Sequence, residues 1–237
     1  MAPNLDKNIQ IIRSPRFRNL TARVTTHGKI RVHAPWYITK GKIFRFLEQH
    51  EEALFKEVEA IKKSNQIEII NGMDLVFPLL NDEISFSIAI GLRKKNQILR
   101  RDANQFEVLL PEGDKEFLNL RLKSVLHQFY RDEARTFFHQ RCSEYADQID
   151  VEFNRIRIGE QISRWGSCSE KKNLNFNFRL MLAPFFVADY VAAHEVLHLK
   201  VKNHSQIYWR DLETLYPRQR EAKEWLKLNG KNLWKYF

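Results

Sequence analysis

Apolar positions recur at two periods along this 237-residue chain, and the switches between them mark its elements. Over the first 112 residues the period is mostly two. Short β-prone runs at 9–12 and 22–24 precede the turn pair His27-Gly28, and another follows at 30–32, which predicts hairpin strands. Asn71-Gly72 predicts a hairpin turn between strands at 67–70 and 75–77. Ile84, Phe86, Ile88 and Ile90 alternate with Ser85, Ser87 and Ala89, a half-buried strand, and 105–110 reads as one more. Only between 39 and 64 is the spacing helical, through Ile43, Phe44, Phe46, Leu47, Leu54, Phe55, Val58 and Ile61. Residues 1–112 are therefore expected to form a β-rich unit with one helix.

The pattern changes at Pro111-Glu112-Gly113-Asp114. Asp114 is a suitable N-cap, and Leu118, Leu122, Val125, Leu126, Phe129, Phe137, Phe138 and Tyr145 predict a long helix over 116–148. Ile156, Ile158 and Ile162 alternate with polar residues as in a strand, and 174–178 predicts a second. A helix opening near Pro184 follows. Two more, at 205–215 and 218–228, are separated by Tyr216-Pro217. The expected fold class is α+β, with a second domain over 113–237.

The helix after Pro184 is apolar nearly all round from Phe185 to Leu199, so it is expected to be buried. Yet it carries His194, Glu195 and His198, and buried polar groups need partners. Residues four apart share a helix face, so both imidazoles can turn to one metal ion. Glu195 lies about 100° around the helix, within reach of a water on that metal. His204 falls where the helix runs out, and a chain reversal would return its ring as a third ligand. Asp211 and Glu213, on the following helix, are rivals for that place. The pattern is that of a zinc hydrolase: Zn2+ on three side chains, an open position for water, and a glutamate base. The spacing H-E-x-x-H-x5-H matches that of metzincins, but Val201 stands at their glycine position. The reversal must therefore differ, with Asn203 expected in a left-handed conformation.

Composition narrows the setting. No run of about 18 apolar residues is present, so no membrane span is expected. The first ten residues lack the basic and apolar regions of a signal peptide. Two cysteines, Cys142 and Cys168, make no disulfide framework, and a cytoplasmic location is expected. The net charge of +10 is shared by both halves, with basic pairs such as Lys171-Lys172. A solvated surface accounts for it, as does a nucleic-acid or nucleotide partner.

The stretches Arg164-Trp165-Gly166-Ser167-Cys168-Ser169, Leu174-Asn175 and Ala188-Asp189-Tyr190-Val191 lead into the histidine motif. Asn203-His204-Ser205, Trp209, Tyr216-Pro217 and Trp225-Leu226 follow it. In this order the chain resembles the YgjP-like metal-dependent hydrolases, relatives of the SprT-like and WLM zincin proteases. The resemblance implies a zincin-like metallopeptidase core, zinc on His194, His198 and His204, and catalysis by Glu195. A peptide or protein substrate follows, and an extended peptide is expected to pair with the 174–178 strand at a sheet edge. A nucleotide hydrolase is the alternative, its phosphates held by Arg164, Lys171 and Lys172; a nucleic-acid-associated binding protein on the same fold is another. Arg164, Ser167 and Asn175 are candidates to line the site and Tyr208 to donate to an oxyanion. Cys168 is a weaker candidate nucleophile, and Asp189 a packing or capping residue.

Overall fold

The structure, a computed structural model, describes residues 9–25, 29–64, 69–92, 95–161 and 163–236. Predicted features at His27-Gly28, Ile67 and Ile162 and the Ile61 side chain lie outside these residues. Contacts divide the chain into two compact units, Met1–Ile67 and Glu68–Phe237. The strands between residues 74 and 111 pack on the long helix that follows them, all within the second unit.

In the first unit, β1 (Ile9–Ser14), β2 (Thr21–Val24) and β3 (Ile30–Pro35) form a sheet in the order β1-β3-β2. β2 and β3 make the expected hairpin pair, while β1 lies parallel to β3. Ile30, Val32 and Ala34 pack on Ile43, Leu47 and Leu54 from the helical stretch. That stretch is two helices rather than one, α1 (Lys40–Gln49) and α2 (Glu51–Ser64). The break is at His50, whose backbone leaves the helical region at φ −114° and whose Nδ1 lies 2.8 Å from the Phe46 carbonyl. Glu51 and Glu52 then open α2, where acidic side chains suit the positive helix end.

In the second unit, β4 (Asp74–Leu79), β5 (Asp82–Gly91), β6 (Gln97–Arg100) and β7 (Gln105–Pro111) form a sheet in the order β4-β5-β7-β6. Ile84, Phe86 and Ile88 are buried, as their alternation requires. Asn71-Gly72 is a turn, with Gly72 at φ 81°, but it joins no hairpin. Ile70 is exposed outside any strand, and the turn closes on β5: the Gly72 N–H donates to the Ile88 carbonyl at 2.7 Å.

α3 (Lys115–Ile149) starts where Asp114 accepts from the Phe117 N–H at 2.8 Å, and ends at Asp150, left-handed at φ 53°. Phe129 stacks edge-on against Phe86 and Phe106, and the Tyr130 hydroxyl donates to the Pro78 carbonyl at 2.7 Å. These contacts tie the four-stranded sheet to α3. The other side of α3 meets a smaller sheet of β8 (Arg155–Gly159), β9 (Gly166–Cys168) and β10 (Asn173–Asn177). Its order is β8-β10-β9, with β10 parallel to β8 and antiparallel to β9. One face, with Ile156, Ile158, Leu174 and Phe176, turns to the helices, and Phe176 stacks on Phe138 at 4.0 Å. α4 (Phe185–Leu197), α5 (Gln206–Leu215) and α6 (Gln219–Asn229) complete the unit.

The strand expected at the sheet edge, 174–178, is β10, and it is central. β9 takes the edge. Three residues are too few to show a period, so β9 is visible only through its pairing. Among the described residues no helix is long and apolar enough to cross a membrane. The architecture is a mixed α/β one, with six α-helices and three small sheets among those residues.

Candidate metal centre

α4 presents His194 and His198 one turn apart, as the i, i+4 spacing demands. The chain then tightens through successive turns: Leu199 N–H to Val196 O, and Lys200 and Val201 N–H to Leu197 O. Ser205 caps α5 by accepting from the Tyr208 N–H, and His204 precedes that cap. No left-handed residue is used. Positive φ at non-glycine positions occurs, among the described residues, only at Leu80, Asp150 and Lys172, so the expectation for Asn203 is corrected.

This reversal brings His204 Nε2 to 3.2 Å from the Nε2 atoms of both His194 and His198. Two nitrogens bound to one tetrahedral zinc at about 2.0–2.1 Å stand about 3.3 Å apart, so the three positions fit such an ion. The Nδ1 of His198 lies 3.0 Å from the Val201 carbonyl, an acceptor only, so Nδ1 carries the proton and Nε2 keeps its lone pair. Burial, then the neighbouring imidazoles and Lys223, pushes the His194 pKa down to about 3. Burial lowers His198 as well. Neutral imidazole is the form a metal requires. Among the described residues, these three histidines are the His, Cys, Asp or Glu cluster with metal-ligand spacing. Asp211 and Glu213 instead face arginines, Arg210 at 3.0 Å and Arg220 at 3.1 Å.

Glu195 is 5% exposed. Burial raises its pKa to about 8, against the Cys168 N–H that hydrogen-bonds to it and the field of Arg164. Its room comes from Gly166 on β9. A Cβ there would lie 2.6 Å from Glu195 Oε1 and 2.7 Å from Cγ, closer than real Cβ contacts come. Gly166 is thus a site residue that periodicity could not single out. Tyr190 is another: its hydroxyl is 3.4 Å from His194 Nδ1. The signal for it was its place four residues before His194. Trp209 stacks on His204, with ring centroids 5.4 Å apart.

Among the remaining candidates, Tyr208 packs its ring against all three histidines. Tyr208 is fully buried, and its hydroxyl donates to the His194 carbonyl at 3.0 Å, which pins α5 to α4. Ser167 and Asn175 are cross-strand partners, with Asn175 Nδ2 donating to Ser167 Oγ at 3.2 Å. Since Gly166 faces Glu195 and side chains alternate along a strand, Ser167 points to the opposite sheet face. Arg164 is exposed and donates to Gln161 Oε1 at 2.7 Å. Burial pushes the Cys168 thiol up, away from nucleophilic reactivity.

A chain fold with 19% identity is the metallopeptidase zymogen of Pyrococcus abyssi abylysin. It matches 40% of this chain and 93% of its own, at a TM-score of 0.36, too slight a likeness to bear on function. No functionally curated protein is similar to the chain. The model of one family, YgjP-like, metallopeptidase domain, matches residues 18–229. The match runs through β9, α4 and His204, and the chain belongs to the YgjP-like metallopeptidase-domain family.

Proposed function

We propose that the protein is a zinc metallopeptidase, with His194, His198 and His204 as zinc ligands, Glu195 as general base, and β8–β10 with α4 as a zincin-type core. The observation that carries this reading is the convergence of three imidazole Nε2 atoms beside a buried carboxylate. Zinc bound there would supply a Lewis acid, which brings the pKa of a water to about 7 and draws charge from a carbonyl.

The chain's own residues do the rest. A cation on the imidazoles favours the ionised form of Glu195, against the burial that raises its pKa. Its carboxylate then takes the water's proton and hands it to the leaving amine. The Cys168 N–H fixes its orientation, and Gly166 leaves it space. Substrate adds along β9. In the β9–β10 ladder, Trp165 and Ser169 turn their backbones to β10, through Asn177 N–H to Trp165 O and Ser169 N–H to Asn173 O. By alternation, Gly166 and Cys168 turn theirs outward. The Gly166 N–H and carbonyl and the Cys168 carbonyl are therefore available to an extended peptide next to Glu195. The free thiols Cys142 and Cys168 suit a reducing compartment such as the cytoplasm.

For nucleotide hydrolysis the cations would have to converge on one phosphate chain. Arg164 precedes β9, while Lys171 and Lys172 sit in the turn after it, at the other end of the strand. A panel of mixed-sequence peptides and nucleoside triphosphates, with the zinc-loaded protein, tests the choice. Peptide cleavage without triphosphate hydrolysis is expected. Hydrolysis of a triphosphate alone, weakened by charge reversal at Lys171 and Lys172 and recovered at high salt, would overturn the reading.

A further inference from the structure

The outer face of the β8-β10-β9 sheet carries a cleft of about 200 Å3 that the proposed chemistry leaves unused. Its floor is the cross-strand pair Arg157–Asn175 and the row Gly159–Asn177–Trp165. Its wall is the loop before β9, with Gln161 and Arg164. Nothing stands within 4 Å of the place a Cβ would take on Gly159, so the floor is open there.

The chemistry of the lining is one-sided. The amide groups are already engaged: Asn177 Nδ2 donates to the Gln161 carbonyl, its Oδ1 accepts from the Arg179 N–H, and Asn175 Nδ2 donates to Ser167. Among the described residues Arg164 hydrogen-bonds through Nε alone, to Gln161, which leaves both Nη groups. Arg157 is exposed, and neither arginine is ion-paired among the described residues. Among those residues no acidic side chain lines the cleft. Two guanidinium forks over a polar floor suit a carboxylate.

The cleft also touches the reaction site. Gly166 lines it and, on its other side, leaves room for Glu195. A peptide strand added to β9 alternates its side chains between the two sheet faces. A residue presented toward α4 and Glu195 has neighbours directed to the outer face, where Arg164 stands at the start of β9; Arg157, on β8 across the sheet, closes the far end of the cleft. The geometry points to a subsite for an acidic side chain next to the cleaved bond, so that the enzyme selects peptides with Asp or Glu there. This rests on the peptidase reading, and it names the substrate class for that site.

Peptide pairs differing only by Glu, Gln or Lys beside the cleaved bond test it, with wild type, Arg157→Gln, Arg164→Gln and Arg164→Glu. Partly exposed guanidinium–carboxylate pairs are worth modest factors each, so kcat/KM for Glu over Gln is expected to be about tenfold. The ratio should fall toward one in Arg164→Gln and less in Arg157→Gln, and Arg164→Glu should turn the preference to Lys. A wild-type ratio near one, or a ratio unchanged in the variants, overturns the subsite while leaving the peptidase reading standing. If no peptide is cleaved, the peptidase reading has failed, and the fluorescence anisotropy of labelled peptides decides the subsite separately. Saturable, salt-sensitive binding of the Glu peptide to the wild type, lost in Arg164→Gln, supports it; equal binding of Glu and Gln peptides overturns it.

Discussion

The two ends of α4 carry two buried carboxylates, 4% and 5% exposed, in opposite circumstances. Asp189, near the start, is held by the Arg141 guanidinium at 2.6 and 3.2 Å and by the Tyr145 hydroxyl at 3.0 Å, both from α3. Its charge is balanced within the chain, and the network staples two helices together. Glu195, near the end, has one backbone N–H and a distant arginine, and burial pushes its pKa to about 8. Desolvation of a carboxylate costs several kcal/mol unless an opposite charge offsets it. At Asp189 that charge is Arg141. At Glu195 the chain supplies three imidazoles instead, and the missing positive charge is what a metal brings. Burial alone does not separate a structural acid from a catalytic one; the source of the compensating charge does.

The largest effect is expected where that compensation serves chemistry. Glu195→Gln keeps the shape but cannot accept a proton, so turnover should fall by about a thousandfold with metal content unchanged. Retained cleavage by a metal-loaded variant would remove Glu195 from the mechanism. At the other end of the helix, Asp189→Asn should leave the half-buried Arg141 with Glu144 as its remaining acidic partner and cost about 2 kcal/mol in urea unfolding, with zinc binding intact. A smaller effect on turnover is expected from Gly166→Ala. The added Cβ displaces Glu195, and a misplacement of that order lowers kcat by about a hundredfold without metal loss. Rescue by a smaller acid, in Gly166→Ala/Glu195→Asp, would separate crowding from general damage.

The smallest effect is in the metal-free protein. The Glu195 pKa is raised from 4.5 to about 8, so its folded form is fully favoured below pH 4.5 and loses stability as pH rises through 8. His194 runs the other way, since its depressed pKa costs stability as pH falls below 6.5. Comparing metal-free wild type with Glu195→Gln isolates the carboxylate. The wild type should lose more melting temperature between pH 5 and pH 9 than the variant, and equal losses would contradict the assignment.

How much of this was legible in sequence follows from the range of each interaction. The helices were, because period and caps are local: Asp114, Pro184 and Ser205 stand where their elements begin. The histidine pair was, because i, i+4 spacing fixes a shared face. The central place of β10, the three-residue edge strand β9 and the unit boundary near 67 depend on pairing between distant segments. Nothing in a local period encodes that. Gly166 shows the same limit, since its importance lies in a contact with a residue 29 positions away. Ser167, Asn175 and Tyr208 had the right chemistry and neighbourhood, but strand alternation and burial commit their polar atoms to partners within the fold.

The central claim, that His204 completes a zinc site with His194 and His198, is tested most directly by metal analysis of the purified protein. Wild type and Glu213→Ala should each hold one zinc per chain, and His194→Ala, His198→Ala and His204→Ala should each lose it. Full zinc retention in His204→Ala together with loss in Glu213→Ala would contradict the account and move the third ligand to α5.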